Sequence, residues 1–541
     1  MDTSEMTRSS ETSESGRGRP GWRVIAGLSG VFLVAAVVAA LVAPWPVSLP
    51  AEGGGPLAER VRAAAGTDGR LGLSVALAER GGASANVALG EPGGGAGGPV
   101  RADTPFEIGS VNKALTGMLL AEMEERGEVT AATTLGEIYR GRTFSDPEVA
   151  SVTLGELASH RAGMPRVGGG PVAGILEGIT SNWAGGDPYG SSPEELLDRA
   201  SVGDRGTYAY SNLGVSLLGH ALAERAGRPY PELLRERILA PLGMDATYIA
   251  GERGAPPPGY ARPHRESGAQ VEPWGDDGFA PAGSSTWSTA GDMAKLLRAV
   301  RDGSAPGAAA AKPRWATDTE NERIGYAWHV TSYDGVPVTW HNGGTGGSRA
   351  FVGFTPGASG SAVAVLSNTD RGVDSAALRL LGVRDVPGGG SPDVRTFVLI
   401  AVTVLFSLMA VAGVAGVAGI RAADGVGVSS VAGVAWLRRR RARSRRPAPD
   451  RAEVLAQVVG GVLLLAVTWR GGLWEYVPVL FWIAGVGAFT VLAAIALLSW
   501  RRLPWVRPGV AAWRRWASPV GTFAVLIGYL AILVPVLAGL G

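Results

Sequence analysis

The feature that most constrains the fold is the uneven distribution of apolar residues. Long apolar runs occur near the N-terminus and after residue 395, whereas the middle of the chain is mixed in composition. About 20 consecutive apolar residues are enough to cross a bilayer as a helix. We predict membrane-spanning helices at residues 22–43, about 396–420, 452–469, 477–499 and 519–540. The sequence therefore predicts a membrane protein in which one N-terminal span and a four-span C-terminal bundle (395–541) flank a folded middle.

The distribution of arginine predicts the orientation of these spans. Arginines precede the first apolar run, and two arginine clusters lie at 421–451 and 501–515. Because cytoplasmic loops are enriched in Lys and Arg, these segments are predicted to be cytoplasmic. Residues 1–21 then form a disordered cytoplasmic tail, and the middle of the chain lies outside the cytoplasm. The predicted localisation is a multi-pass protein of the cell membrane with an extracytoplasmic domain, in contact with membrane lipid.

A cleavable signal peptide is the alternative interpretation of the first apolar run. Its apolar region would usually be shorter, and no suitable small-residue cleavage site precedes Pro44. These observations favour an uncleaved anchor.

Composition excludes several classes of function. The net charge is +2 and no basic stripe crosses the middle of the chain, which argues against a nucleic-acid partner. The chain has no Cys, so disulfides and thiolate chemistry are absent. Five His occur without H-E-x-x-H spacing, so a zinc hydrolase is not expected. We predict neither a cofactor nor a metal.

Residues 56–385 are predicted to form one domain between linkers at 44–55 and 386–394. A helix is expected first, then two strands, then several helices, then an antiparallel meander and a closing helix. This order predicts an α+β fold with an antiparallel sheet flanked by helices and a mostly helical subdomain. The predicted strands are Leu71–Glu79, Ala83–Leu89, Gly325–Thr331, Val336–His341, Arg349–Thr355 and Ala362–Ser367.

A rare lysine marks the candidate site. Of the 50 Lys and Arg residues only three are lysine, at positions 113, 295 and 312. Lys can act as a base when it is desolvated, whereas Arg in effect cannot. Lys113 follows Ser110 by three residues at the start of a predicted helix, which places both side chains on one face. The simpler interpretation is a helix start with Ser110 as N-cap and a solvated lysine.

Two further motifs follow in order: Tyr210-Ser211-Asn212 in the helical part and His341-Asn342-Gly343 at the end of a predicted strand. Together with Ser110-x-x-Lys113 they resemble the serine β-lactamase and penicillin-binding-protein superfamily, in particular its class C β-lactamase-like branch of D,D-carboxypeptidases and esterases. Further blocks that resemble this branch are Thr104–Ser110, Ser159–Pro165, Tyr210–Val215, Pro241–Thr247 and Pro281–Ala290.

The resemblance implies a role for each motif residue. Ser110 would be the nucleophile, with Lys113 or Tyr210 as its base. Asn212 would hold the substrate amide, and His341, next to Gly343, would give electrostatic assistance or deliver a proton. The oxyanion would be bound by the backbone N–H groups of Ser110 and Gly344.

One departure from the pattern limits the substrate. His341 stands where many members have Lys, and a neutral imidazole holds a substrate carboxylate less firmly. The predicted function is a serine hydrolase acting on an amide or ester, such as a D,D-peptidase or esterase of the cell envelope. A weak β-lactamase and a penicillin-binding sensor that acylates without turnover are the alternatives. The sequence leaves the oligomeric state open. The remaining histidines are predicted to be structural: His160, His220, His264 and His329.

Overall fold

The computed structural model describes residues 22–505, except 52–53, 80–83, 94–97, 168–191, 251–254, 334, 358–359, 385, 387–393, 423–450, 473, 475–476 and 499. The chain divides into two compact units. One consists mainly of residues 44–401, and the other contains residues up to 43, 402–469 and 478–526. The predicted tail (1–21) and the predicted span at 519–540 lie outside the described residues.

Four long helices occur at predicted spans: α1 (Trp22–Val42), α11 (Val394–Ala422), α12 (Arg451–Gly471) and α13 (Val479–Leu498). Within the described residues only α13 is long and apolar enough to cross a membrane by length and composition. The other three contain shorter apolar stretches, Ala26–Val42, Ile400–Ala415 and Glu453–Ala466. Of the five predicted spans, only the one at 477–499 therefore meets this criterion within the described residues.

The folded middle is built on an eight-stranded antiparallel sheet in the order β2-β1-β11-β10-β9-β8-β7-β6. Its first two strands come from the N-terminal part and the rest from the C-terminal part, as predicted. The strands are β1 (Gly72–Ala78), β2 (Ser84–Gly90), β6 (Trp315–Ala316), β7 (Glu322–Ile324), β8 (His329–Tyr333), β9 (Val336–Gly344), β10 (Arg349–Phe354) and β11 (Ala362–Ser367). A small second sheet holds β3 (Phe106–Glu107), β5 (Thr286–Ser288) and β4 (Tyr248–Ile249).

Side-chain alternation along the strands divides the core into two layers. On one face, Val75 and Val365 pack in a cluster with α2 (Gly55–Ala65) and α10 (Asp374–Leu380). On the other face, Ala76 and Ala364 join a larger cluster with the other helices of this same unit. Neighbouring residues of a strand point to opposite faces, so a sheet covered on both sides reads as a continuous apolar run. This explains the sequence of β11, Ala-Val-Ala-Val-Leu-Ser, which is buried throughout.

The larger cluster contains helix α3 (Val111–Glu125), whose residues 111–123 are all buried. A helix without a water-facing side carries apolar residues all round, and here polar side chains such as Lys113 are buried with them. The other helices that contribute to this cluster are α4 (Leu135–Ile138), α5 (Leu154–Ala158), α6 (Pro193–Arg199), α7 (Asn212–Ala226), α8 (Tyr230–Leu234) and α9 (Ala290–Asp302).

Several details differ from the sequence prediction. The predicted strand Gly325–Thr331 is wrong in its first half: the chain leaves β7 after Ile324, Ala327 adopts a positive φ of 58°, and β8 begins at His329. A positive φ cannot continue a pleated strand. Helices α4 and α9, strands β6 and β7 and the small sheet were not predicted. The sequence Arg80-Gly81-Gly82, which separates the first two predicted strands, lies outside the described residues.

Candidate active site

Ser110 lies at the N-terminal end of α3, three residues after the last residue of strand β3. It has helical backbone angles, and its hydroxyl makes no capping hydrogen bond to the helix. The preceding Gly109 has a φ of +49°, which favours glycine. Ser110 is thus the N-cap residue by position, as in the simpler interpretation, but its side chain does not cap the helix. Its half-buried hydroxyl contacts Lys113.

Lys113 is fully buried, with 0% of its surface exposed. Its Nζ donates to Ser110 Oγ at 2.7 Å and to the carbonyl oxygen of Ala282 at 2.6 Å. Burial lowers the pKa of Lys113, the charge of Arg166 lowers it further, and the phenol of Tyr210 opposes both. The interpretation as a solvated lysine is wrong. A buried ammonium with a lowered pKa gives up its proton more readily than an exposed one.

Tyr210 brings a third group to this cluster from the segment before α7. The Lys113 ammonium lies 5.1 Å from the centre of its ring, and hydrogen bonding to Ser110 and Lys113 contributes to the pKa of its phenol. Burial alone would raise the pKa of Tyr210. The charge of Lys113, the two hydrogen bonds and the charge of Arg166 outweigh it, so the pKa is lowered. The structure thus brings the predicted nucleophile and both candidate bases together.

His341 lies in β9 and is 1% exposed. Its Nδ1 is 2.6 Å from the carbonyl oxygen of Asn342, which assigns a proton to Nδ1. Burial, followed by the charges of His329 and Lys113, holds the pKa of His341 well below its ordinary value. The ring is therefore neutral at physiological pH. It can act as a hydrogen-bonding group but does not supply a positive charge.

Asn212 is the first residue of α7, two residues after Tyr210, and is 6% exposed. Its backbone N–H donates to the carbonyl oxygen of Arg166 at 2.9 Å. The position is close in sequence to the Ser110–Lys113–Tyr210 cluster, but the role predicted for the amide stays a prediction.

Gly343 and Gly344 at the end of β9 lie against the backbone around Ser110. A Cβ added to Gly343 would collide with the carbonyl oxygen of Ile108 and lie 3.0 Å from Ser110 N. A Cβ added to Gly109 would lie 2.8 Å from Gly344 N. The two predicted oxyanion donors, the N–H groups of Ser110 and Gly344, therefore belong to backbone segments in close approach.

We expect Gly343→Ala to slow acylation of Ser110 by at least about 100-fold, because the new methyl group must push β9 away from the nucleophile and displacements near 1 Å have effects of that size. The measurement is the rate of acylation by an activated ester. Gly372→Ala is the matched control, since a Cβ there meets nothing within 4 Å. Equal rates for the two variants would contradict the expected close approach.

Sequence reasoning missed His160, which it assigned to structure alone. Its ring lies 4.5 Å from the ring of Tyr210, and its Nδ1 accepts a hydrogen bond from Ser211 N–H at 3.2 Å. The available signal was its place in the Ser159–Pro165 block, which does not reveal what the side chain touches. His220, His264 and His329 bond to Gly278 O, Arg262 O and Glu322 respectively, in keeping with structural roles.

The described residues contain no group of three or more His, Cys, Asp or Glu that could hold a metal ion. The absence of a metal or cofactor in the reaction stays a prediction from the sequence.

Comparison with known proteins assigns the family. Residues 57–386 match the family described as Beta-lactamase. The chain belongs to the β-lactamase family. This match confirms the predicted resemblance to serine β-lactamases and penicillin-binding proteins.

Curated relatives of this β-lactamase-family chain include enzymes and penicillin-binding proteins. It is 27% identical over 300 residues to an unguisins hydrolase of Aspergillus campestris, with 50% of this chain and 53% of the relative covered. It is 27% identical over 306 residues to penicillin-binding protein 4 of Amycolatopsis lactamdurans, covering 51% and 74%. A D-alanyl-D-alanine-carboxypeptidase/endopeptidase of Escherichia coli K12 is 28% identical over 198 residues, covering 36% and 49%. The chain thus spans about half the length of the first and third relatives.

Among solved structures, a class C β-lactamase from Rhodobacter sphaeroides is similar with 21% identity and a TM-score of 0.47, covering 58% of this chain and 94% of that one. A class C β-lactamase in complex with cefoxitin has 17% identity and a TM-score of 0.48, covering 58% and 93%.

Proposed function

We propose that the chain hydrolyses an amide or ester bond through an acyl-enzyme on Ser110. The observation that carries this proposal is the contact of a fully buried lysine with Ser110 Oγ at 2.7 Å. A serine hydroxyl becomes a strong nucleophile only when a neighbouring base removes its proton. Lys113 and Tyr210 are both in place, and the pKa of each is lowered.

Lys113 and Tyr210 act as a coupled pair. Because each interacts with the other and with Ser110, the proton taken from Ser110 Oγ is received by the pair, and the titration belongs to both groups. Oγ attacks the carbonyl carbon, and the tetrahedral oxyanion is stabilised by the N–H groups of Ser110 and Gly344. The pair then returns the proton to the leaving amine or alcohol as its bond to carbon breaks. Water, deprotonated by the same pair, then attacks the ester carbonyl; the bond between the acyl carbon and Ser110 Oγ breaks, the pair returns the proton to Oγ, and the acid is released.

Asn212 and His341 contact the substrate in this proposal. Asn212 binds the substrate amide, and the neutral imidazole of His341, next to Gly343, accepts a hydrogen bond from the substrate at Nε2. A neutral ring holds a substrate carboxylate less firmly than an ammonium, which favours a peptidase or esterase over an efficient β-lactamase. The name of the Escherichia coli relative supports a D-alanyl-D-alanine peptide as substrate.

The cellular location is proposed on separate grounds. The apolar helix α13, the shorter apolar stretches in α1, α11 and α12, and the two arginine clusters support a membrane-anchored protein with five spans. In that topology the Ser110 domain lies outside the cytoplasm. Because several spans exceed what an anchor requires, a sensor that is acylated without turnover is the second candidate.

Incubation of the full-length protein in detergent with three substrates tests these alternatives. We expect turnover of a peptide ending in D-Ala-D-Ala or of a nitrophenyl ester, and slower turnover of a penicillin. One equivalent of stable acylation without turnover would instead support the sensor. Failure of all three substrates and of an activity probe to react would contradict the proposed function.

A further inference from the structure

His160 has a backbone conformation that calls for an explanation. It follows helix α5 with a φ of +57° and is 2% exposed. Side chains with a Cβ adopt this left-handed region at a cost, and glycine is the usual residue where a helix ends in this way. A histidine at such a position suggests that its side chain is needed, since strained residues gather at functional sites.

His160 accepts two hydrogen bonds, one from the residue before Tyr210 and one from the residue after it. The carbonyl oxygen of His160 accepts from Ala209 N–H at 2.8 Å. Its ring Nδ1 accepts from Ser211 N–H at 3.2 Å. The residues on both sides of Tyr210 are therefore fixed by one residue, through its backbone and through its side chain.

The imidazole ring of His160 also packs against the ring of Tyr210. The ring centres of His160 and Tyr210 are 4.5 Å apart at an interplanar angle of 35°. Lys113 Nζ lies 5.1 Å from the centre of the same ring and Arg166 Cζ 5.2 Å. Displacement of the His160 ring would therefore change the distance between Tyr210 and Lys113.

The residues that follow His160 also make hydrogen bonds with the segment that precedes α7. Arg161 O accepts from Gly206 N–H at 2.8 Å, and Arg166 O accepts from Asn212 N–H at 2.9 Å. The hydroxyl of Ser211 donates to Pro165 O at 2.7 Å. The loop from 160 to 166 thus runs alongside the segment before α7 and fixes its path, with His160 at Tyr210.

The His160 ring acts as an acceptor. Because Nδ1 accepts from Ser211, the neutral ring carries its proton on Nε2, which is buried without a hydrogen-bond partner among the described residues. Burial, followed by the charge of Lys113, holds the pKa of His160 well below its ordinary value. Protonation of Nδ1 would break the hydrogen bond from Ser211 N–H, so the neutral state of His160 preserves this bond.

We propose that His160 is a positioning residue that holds the Tyr210 phenol against Ser110 and Lys113 through its Nδ1 bond to Ser211 and its ring contact. This proposal rests on the proposed function, because it assumes that Tyr210 takes part in proton transfer at Ser110. His160 itself touches no reacting atom.

The decisive comparison is between His160→Asn and His160→Gly in the full-length protein. Asn tolerates a positive φ and places an acceptor near the position of Nδ1, whereas Gly tolerates the backbone but has no acceptor. Both lose the ring, so their difference reports the bond to Ser211. We expect His160→Asn to retain acylation within about tenfold of the unmodified protein and His160→Gly to lose about 100-fold, the size expected for misplacement of a reacting group.

The pH profile separates positioning from a loss of folded protein. Lys113, Arg166, Tyr208 and His160 surround Tyr210, and the charge of Lys113 lowers the pKa of that phenol. A displaced Tyr210 loses part of this effect, so the acidic limb of the acylation profile should move to higher pH in His160→Gly and stay in place in His160→Asn. Partial unfolding would lower the amplitude without moving the limb.

Acylation rates are measured with a nitrophenyl ester and normalised to the active-site titre. Equal rates and equal pH limbs in the Asn and Gly variants would overturn the proposal. Should His160→Gly not fold, His160→Gln replaces it, because its amide lies near Nε2 and leaves Ser211 without its acceptor. Ser110→Ala in the same assay tests the proposed function separately: an inactive Ser110→Ala with indistinguishable His160 variants rejects the positioning role alone.

Discussion

Replacing Ser110 by Ala is expected to abolish covalent labelling of the protein by a fluorescent phosphonate. Removing the nucleophile of a serine hydrolase lowers turnover by up to about 10⁶-fold. Residual labelling below about 10⁻⁴ of the unmodified rate is therefore the expected result, measured by gel fluorescence over time.

The fold should survive this change. The Ser110 hydroxyl makes no capping hydrogen bond, and its partner Lys113 keeps the carbonyl oxygen of Ala282 as an acceptor. The midpoint of thermal unfolding should move by only a few degrees, as expected for a change of about 1 kcal/mol. Ser304→Ala is the control, since this exposed serine lies after α9 and its hydroxyl donates only a long hydrogen bond of 3.5 Å to the carbonyl oxygen of Ala299. Labelling of Ser110→Ala at the unmodified rate would contradict the assignment of the nucleophile.

Most strands of the sheet were predictable from the sequence because each has a recognisable local pattern of apolar residues. β1, β2, β10 and β11 are apolar or alternating runs bounded by turn residues. The pairing of β1 with β11 joins distant parts of the chain and was not predicted. The strand prediction failed at 325–328, where Ala327 turns the chain with a positive φ of 58°. An alanine gives no local signal for that conformation, which depends on tertiary packing.

The site was predictable to the extent that its geometry is local. Ser110 and Lys113 are three residues apart on one helix, so their contact follows from helical geometry. Tyr210 and His341 were placed with them only by resemblance to a family. His160 and Ser211 are 51 residues apart in sequence, and neither periodicity nor composition predicts a hydrogen bond between two such residues. Burial of Lys113 likewise depends on tertiary structure, because the same spacing also fits an exposed lysine.

The second large effect is expected at Lys113. Lys113→Arg keeps a positive charge beside Tyr210 but removes a group that can lose its proton, since the guanidinium stays charged at all accessible pH. It also places a larger, planar group in a position with no exposed surface. We expect acylation to fall by at least about 10³-fold, within the range that general bases contribute.

Lys295→Arg is the matched control for this substitution. Lys295 is half exposed and pairs with Asp292 at 2.8 Å, an arrangement that arginine reproduces without loss. Its variant should acylate at the unmodified rate, and a loss in both variants would point to a general effect of the exchange.

The pH dependence identifies which property of Lys113 the reaction uses. Burial lowers the pKa of Lys113, so the deprotonated form is reached at a lower pH than for an ordinary lysine near 10.4. Acylation by the unmodified protein should therefore rise with pH and level off below that value as the Lys113–Tyr210 pair loses a proton. In Lys113→Arg the only remaining titrating base is Tyr210, whose pKa the arginine charge still lowers. A variant with the unmodified rate and profile would mean that Lys113 supplies only charge and that Tyr210 alone removes the proton from Ser110.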